Sequence, residues 1–285
     1  MSSSLVEVDS LEAIVIINNE VDSMSWISPN TVNVSGRFRD MMMSQSNSFA
    51  AGEDSIKFMP MEAMCCGAHG LSVLVTATKG GVNSSVLFNT GPEEAAWERN
   101  AKRLGTDISS VDVIQLSHWH RDQSDGMLKV IKMISEAMKT NSVYKPFLVD
   151  LHPDRPEYRG FMIGNNPVSF PADPTFAEIE GLGAIVLKQS AAYTFLDDMF
   201  LISGFIPSSA LYETGLKGGI RQDTNKGWEK DEEMADERFL MCNMKGKGIV
   251  MFTGCSHRGV VNASRNAVDL LRGTVHCMLL MVAIT

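Results

Sequence analysis

A histidine-rich segment that directly follows an apolar, β-branched run constrains the fold more than any other part of the sequence. The run at 111–116 is VDVIQL, and the chain continues Ser-His-Trp-His-Arg-Asp-Gln. Because side chains alternate along an extended segment, His118 and His120 are expected to face the same way, and Asp122 continues the alternation. Imidazole nitrogen and carboxylate oxygen suit Zn²⁺ or a similar transition metal. The sequence therefore predicts a metal site at the end of a strand, the alternative being two surface histidines in a turn.

Apolar runs between turn signals predict a chain in which strands and helices are mixed. Runs rich in β-branched residues predict strands at 13–17, 71–78, 85–89, 111–116, 147–151, 184–187, 199–202, 239–243 and 248–253. Apolar residues at helical spacing predict helices at 93–104 and 127–138. A single α/β domain built on layered sheets is expected.

Two intervals lie between these predicted elements. The proline-rich interval 146–174 is interpreted as a long irregular connection or a cover over a site. The polar interval 217–236 is interpreted as a mobile surface loop, and its acidic cluster at 231–233 as a solvated face.

The composition excludes several classes of protein. Of the 285 residues 44% are hydrophobic, which excludes a chain that is disordered throughout. Lys and Arg number 25 against 34 Asp and Glu, and the net charge of −9 disfavours a nucleic-acid binder or a metallo-nuclease. Five irregularly spaced cysteines indicate a reducing compartment. Since no signal peptide and no apolar run of about 18 residues is visible, a soluble cytoplasmic protein with no membrane partner is expected.

Several motifs resemble those of the metallo-β-lactamase fold hydrolases. In chain order they are AHGLSV (68–73), LFNTG (87–91), SHWHRDQSDG (117–126), DERF (236–239), FTGCSH (252–257) and GVVN (259–262). LFNTG resembles the family's L-F-D-T-G turn, and SHWHRDQSDG resembles its H-x-H-x-D-H segment. FTGCSH together with GVVN resembles the T-G-C-S-H-x-G-x-x-N block of one lactamase-like subgroup. The other segments fit that subgroup, and the resemblance covers about 71–271.

The resemblance implies an αββα four-layer sandwich that residues 1–285 form as a single domain. It also implies a site for one or two Zn²⁺ ions at the edges of the sheets. His118 and His120 would hold the first ion, and Asp122 would sit on the second ion or its bridging hydroxide. A carboxylate at that place can shuttle a proton, which makes Asp122 the candidate catalytic residue.

The residues that follow the predicted strand at 248–253 add further candidates. His257 is the next candidate metal ligand, with a solvent-facing loop histidine as the alternative. Cys255 is either a thiolate ligand on the second ion or a small buried cysteine. His69 and His152 are interpreted as turn or structural histidines.

Four departures from the family's motifs fall on its chemistry. Gln123 replaces a histidine that helps to hold the second ion, and an amide is a weak oxygen donor. Asn89 replaces an aspartate that orients a metal-bound histidine, and Asp125 replaces a small glycine. After about 274 the chain lacks the family's G-G-[FY]-H segment, so the C-terminus is interpreted as truncated or altered. Nothing in the context of His276 indicates a ligand.

These observations predict a lactamase-like, metal-dependent hydrolase that opens a small lactam or lactone ring with a zinc-activated water. Its partner would be a small cyclic amide or ester. By analogy with the subgroup, the expected setting is xenobiotic detoxification or secondary metabolism, and a benzoxazolinone is one substrate class. The alternative is a degenerate, non-catalytic family member with weakened metal binding, which Gln123 and Asn89 favour.

Overall fold

In the part of the chain that the structure describes, the strands form two six-stranded sheets and one four-stranded sheet. The computed structural model describes residues 5–26, 33–36, 38–44, 60–143, 145–224 and 226–282. In chain order the strands are β1 (Glu7–Val8), β2 (Ser10–Ile17), β3 (Ser72–Lys79), β4 (Val82–Phe88), β5 (Val113–Gln115), β6 (Leu148–Leu151), β7 (Tyr158–Ile163), β8 (Asn166–Ser169), β9 (Ile185–Lys188), β10 (Tyr193–Phe195), β11 (Phe200–Ile202), β12 (Gly219–Gln222), β13 (Trp228–Lys230), β14 (Leu240–Met244), β15 (Gly248–Thr253) and β16 (Cys277–Val282). The α-helices are α1 (Phe38–Ser44), α2 (Glu94–Leu104), α3 (Arg121–Ser124), α4 (Met127–Thr140), α5 (Phe176–Gly181) and α6 (Val260–Leu270).

The first sheet has the order β2-β3-β4-β5-β6-β9. Its first three strands are antiparallel, and the predicted hairpin between β3 and β4 turns at Gly80 and Gly81. Their φ angles of 56° and 82° are both left-handed, which glycine adopts without strain. In this sheet β4, β5, β6 and β9 run parallel to one another, and parallel neighbours need crossover connections. Helices α2, α4 and α5 lie in those connections.

The second sheet has the order β10-β11-β14-β15-β16, with β1 beside β14, and it packs face to face on the first. The shared buried cluster takes side chains from both sheets, among them Val73, Val75, Val86 and Phe88 of the first and Phe200, Ile202, Leu240, Val250 and Phe252 of the second. On the outer face of the first sheet lie Trp97 of α2 and Ile131 of α4, and on that of the second lies Ala263 of α6. The packing confirms the predicted αββα sandwich.

A third sheet, with the order β13-β12-β7-β8, was not predicted. It is built from the intervals 146–174 and 217–236, and β7 and β12 pair with each other in antiparallel fashion. The interpretation of 146–174 as an irregular connection is therefore wrong, and 217–236, interpreted as a mobile surface loop, contains the strands β12 and β13. The solvated-face interpretation also fails at Asp231, whose carboxylate is 2.7 Å from the Arg159 guanidinium.

The C-terminal run that departs from the family's motifs forms β16, which pairs in parallel with β15. Residues 1–4 and 283–285, which belong to the terminal segments considered above, lie outside the described residues. Among the helices in the described ranges, none is long and apolar enough to cross a membrane.

Candidate metal centre

Four side chains with metal-binding atoms meet where strands of the two large sheets end. His118 and His120 follow β5, and Cys255 and His257 follow β15. Their ligand atoms all lie within 4.8 Å of one another. Both histidines after β5 are buried, with 1% and 8% of their surface exposed. The structure thus brings together three of the four predicted metal ligands and adds the thiol that the sequence left between two interpretations.

The three imidazoles turn ring nitrogens toward one another. His120 Nδ1 lies 3.1 Å from His118 Nε2 and 3.1 Å from His257 Nε2. The other nitrogen of His118, Nδ1, is 2.9 Å from the Ser117 hydroxyl, which fixes the orientation of that ring. One ring nitrogen of each of the three imidazoles thus lies in the same small cluster.

Burial keeps these imidazoles uncharged near neutral pH. Burial, and after it the neighbouring His257, lowers the pKa of His118 well below its usual value. Burial and then the His118 ring do the same to the pKa of His120. Burial, followed by the Arg159 charge, lowers the pKa of His257 to about 4. A cation that binds here has no imidazole proton to displace at pH 7.

The donor set fits a transition-metal cation. Imidazole nitrogen and cysteine sulfur are the ligands that Zn²⁺ takes in proteins, and a buried cluster of three neutral imidazoles and a thiol is such a set. Within the described ranges this is the one group of three or more His, Cys, Asp or Glu residues with converging ligand atoms.

Asp122 is not one of the four converging groups. His120 is extended, with φ −137° and ψ 141°, but α3 begins at Arg121, so Asp122 lies in a helical turn. The extended backbone therefore ends at His120. The prediction that Asp122 faces the same way as the two histidines by strand alternation is wrong. Its carboxylate Oδ2 accepts hydrogen bonds from Cys255 Sγ at 3.2 Å and from Gln123 Nε2 at 2.5 Å. The roles of Asp122 as metal ligand and catalytic residue stay predictions.

The two family departures Asn89 and Gln123 hydrogen-bond to each other. The Ser117 backbone N–H donates to Asn89 Oδ1 at 2.8 Å, and since an N–H can only donate, this contact fixes the Asn89 amide. Asn89 Nδ2 then donates to Gln123 Oε1 at 2.7 Å. Gln123 Nε2 is left to donate to Asp122 and, at 3.4 Å, to Cys255 Sγ. Gln123 thus presents N–H groups to its two neighbours.

A buried ion pair holds the backbone N–H and carbonyl of Trp119, which lies between His118 and His120. Asp236 Oδ2 accepts from the Trp119 backbone N–H at 2.9 Å, and Arg159 Nη1 donates to the Trp119 carbonyl at 2.8 Å. The two charges meet at 2.6 Å. Burial alone would raise the pKa of Asp236, but the Arg159 charge outweighs it and holds that pKa well below its usual range.

The two residues after Asp236 hold further parts of the centre. Glu237 accepts from the backbone N–H groups of His257 and Arg258, at 2.8 and 2.6 Å. The Arg238 backbone N–H donates to the Ser117 carbonyl at 2.8 Å. From the sequence, 236–239 contributes only to the family resemblance, and no contact with the metal site is predicted for it. The sequence signal for such a contact is the run of three charged residues directly before a predicted strand.

The surroundings of the centre include an aromatic side and exclude the other histidines. The Phe170 ring lies 6.3 Å from the His120 ring and is 39% exposed, so the interval 146–174 does cover one side of the cluster. His69 and His276 are exposed, and His152 Nδ1 accepts a backbone hydrogen bond, and none of the three joins the group.

Comparison with known proteins gives distant relatives. No protein family model matches the chain. The chain is 24% identical over 204 residues to the 7,8-dihydropterin-6-methyl-4-(beta-D-ribofuranosyl)-aminobenzene-5'-phosphate synthase of Methanocaldococcus jannaschii, which covers 71% of the chain and 66% of the synthase. It is 25% identical over 195 residues to an uncharacterized protein of the same archaeon, with 68% and 65% covered. The matches thus span just under two thirds of each relative.

The solved structures that resemble the chain are metallo-β-lactamase fold proteins. A Cronobacter sakazakii metallo-β-lactamase with a HARLDQ motif has a TM-score of 0.37 at 10% identity, with 76% of each chain covered. An N-acyl homoserine lactone lactonase has a TM-score of 0.36 at 12% identity, with 87% of this chain and 73% of the lactonase covered. The αββα arrangement itself is seen in the packing of the two large sheets and their outer helices.

Proposed function

We propose that the chain is a metal-dependent hydrolase whose cation is held by His118, His120 and His257. One observation supports the proposal most directly: ring nitrogens of three imidazoles lie close together at the edge where the two sheets meet. We propose Zn²⁺ as the cation, because nitrogen and sulfur donors suit it. When bound, such an ion polarises a carbonyl and lowers the pKa of water.

The neighbouring side chains support this chemistry by position. The Ser117 hydroxyl orients the His118 ring, and Asp236 with Arg159 fixes the peptide between the two histidines. The Asp122 carboxylate is half-buried and lies beside the thiol of the cluster, and this position supports a role for it in proton transfer. We therefore keep Asp122 as the proposed catalytic residue.

The proposed substrate is a small cyclic amide or ester, a lactam or a lactone. Phe170 offers an apolar, partly exposed ring beside His120, and such a surface suits the ring or acyl part of the substrate. The proposal includes no nucleic-acid partner, in keeping with the net charge of −9.

The test combines elemental analysis with hydrolysis assays. Purified protein is analysed for zinc and assayed on a chromogenic β-lactam, an N-acyl homoserine lactone and a benzoxazolinone. We expect bound zinc and hydrolysis of at least one probe, and in His118→Ala a loss of the metal with an activity at least about 100-fold lower. His69→Ala is the matched control, because His69 is an exposed histidine outside the cluster. A metal-free protein, or unchanged activity in His118→Ala, would refute the proposal.

The second candidate is a non-catalytic protein that retains the pocket. The pairing of Asn89 with Gln123 favours it, because the family has a carboxylate and an imidazole at these positions. Under this hypothesis the protein binds zinc but hydrolyses no probe, and Gln123→His combined with Asn89→Asp creates activity. Hydrolysis by the unaltered protein would exclude it.

A further inference from the structure

We infer that this centre holds a single cation with four protein ligands, in which the Cys255 sulfur completes the set formed by His118, His120 and His257. The inference rests on the proposed metal function and deepens it, since it assigns the number of ions and the fourth ligand. It also gives Gln123 a role: its amide holds the sulfur and the Asp122 carboxylate by hydrogen bonds and is not itself a ligand.

The position of Cys255 is the first observation that supports this ligand set. The turn after β15 carries both Cys255 and His257, and the sulfur lies within 4.8 Å of a ligand nitrogen on each of the three imidazoles. Three nitrogens and one sulfur are donors that Zn²⁺ takes in proteins, and an ion held by all four would take the water of the proposed hydrolase as a fifth ligand. A buried structural cysteine, the other interpretation, would sit among apolar side chains, whereas this sulfur contacts Asp122 and Gln123.

The orientation of the Gln123 amide is the observation that supports a single ion. The chain of hydrogen bonds from the Ser117 N–H through Asn89 leaves Oε1 of Gln123 facing Asn89. Nε2 therefore faces both Asp122 and Cys255. The positive ends of two N–H dipoles oppose a second cation at that place, and no oxygen of Gln123 is available there to hold one.

The same amide suits a sulfur that has lost its proton. A thiolate is a hydrogen-bond acceptor, and an N–H donor directed at it makes a charge-assisted hydrogen bond. When a cation binds to the sulfur, the proton that the thiol donates to Asp122 leaves to solvent, and the thiolate brings one negative charge to the ion.

The experiment measures ligand identity and metal number directly. The metal-free protein is titrated with Co²⁺ and followed by absorption in the near ultraviolet, where thiolate-to-cobalt charge transfer appears, and zinc per chain is measured by elemental analysis. We expect one equivalent of metal and a charge-transfer band that Cys255→Ser removes, with zinc affinity lowered by at least about tenfold. Cys66→Ser is the matched control, because Cys66 is an exposed cysteine outside the cluster, and it keeps the band.

X-ray absorption of the zinc-loaded, unaltered protein makes the test independent of any variant. We expect one sulfur neighbour at about 2.3 Å together with nitrogen neighbours. Two equivalents of zinc, or one equivalent with no sulfur neighbour and no charge-transfer band, would overturn the inference while leaving the proposed hydrolase intact. A protein that takes up no metal would overturn both.

Discussion

Asp236 is a single buried carboxylate on which the backbone geometry between His118 and His120 depends. It is 1% exposed, and it neutralises Arg159 while accepting from the Trp119 backbone N–H. Removing one partner of a buried ion pair leaves an uncompensated charge, which costs far more than the loss of a surface pair. We therefore expect Asp236→Asn to lower the free energy of unfolding by about 3 kcal/mol, measured by denaturant titration.

The matched control for Asp236→Asn is Asp154→Asn. Asp154 also pairs with an arginine, Arg221, at 2.7 Å, but its side chain is 51% exposed. Since exposed pairs contribute little, we expect a loss below about 1 kcal/mol. Equal losses in the two variants would contradict the importance of burial at Asp236.

Asp173 gives the stability of the protein a dependence on pH. Burial raises its pKa to about 6 from 3.8, although the Ser124 hydroxyl donates to it and opposes the rise. The folded chain therefore holds this proton more tightly than the unfolded chain does. The stabilisation is complete below about pH 4 and is lost as the pH rises through about 6.

Asp173→Asn removes this dependence. A difference of about 2 pKa units corresponds to about 3 kcal/mol, so the variant should gain that much stability relative to the unaltered protein between pH 4 and pH 7. Denaturant unfolding at each pH measures it. Glu180→Gln serves as the control, since Glu180 is an exposed carboxyl nearby on α5, and it should follow the unaltered protein. A constant difference between Asp173→Asn and the unaltered protein would disprove the assignment.

At the scale of residues, the sequence predicted the histidines of the site but not the groups that hold them. The spacing of His118 and His120 after a strand is a local pattern, and so it could be found. Asp236 lies 117 positions from the peptide it binds, and no local pattern records such a contact. Asp122 was assigned a direction from strand alternation because the start of α3 at Arg121 was not foreseen.

Among the elements, the junction of α3 and α4 is held unusually close to the turn at 89–91. Gly126, directly before α4, has an ordinary helical backbone, yet a Cβ added there would lie 2.2 Å from the Thr90 carbonyl oxygen. Thr90 in turn donates to the carbonyl of Gln123. The close approach therefore sets the position of α3 and of the amide beside the candidate metal centre.

Gly126→Ala should push this junction away from the turn. We expect a loss of about 2 kcal/mol in the free energy of unfolding, which is typical of overpacking. Gly181→Ala is the same change in α5 where nothing lies within 4 Å, and there we expect a gain of up to about 1 kcal/mol from helix propensity. Thermal and denaturant unfolding compare the two, and a neutral Gly126→Ala would show that the junction has room.

The elements that the sequence predicted are those with strong local patterns. Helix α2 was expected at 93–104 and is Glu94–Leu104, and it ends at Gly105 with a left-handed φ of 62°. The third sheet was missed because β8, β12 and β13 have only three or four residues each, and because β7 and β12, which join the sheet together, lie far apart along the chain. β7 also contains Gly160, where an added Cβ would meet the Val168 carbonyl at 2.0 Å. Such a glycine looks like a strand breaker until the pairing is known.

For the whole molecule, the candidate centre depends on both large sheets reaching the same edge. β15, which leads to Cys255 and His257, lies between β14 and β16. Removing 275–285 would expose the hydrogen-bonding groups along one side of β15. We expect a loss on the order of 3 kcal/mol in the free energy of unfolding and a weaker affinity for zinc.

Removal of 283–285 alone is the control, because it leaves β16 complete. Unfolding curves and zinc titrations compare the two shortened chains. If the longer truncation behaves like the shorter one, pairing with β16 contributes nothing to the centre.

The run of three consecutive charged residues at 236–238 has a consequence for how the molecule opens. Four backbone N–H groups are hydrogen-bonded through this run. Those of Trp119, His257 and Arg258 donate to its carboxylates, and that of Arg238 donates to the Ser117 carbonyl. Local opening that frees one of them must disrupt the run and so frees the others, although they come from three distant stretches of the chain. In native-state hydrogen–deuterium exchange they should therefore share one protection factor and behave as a single cooperative unit.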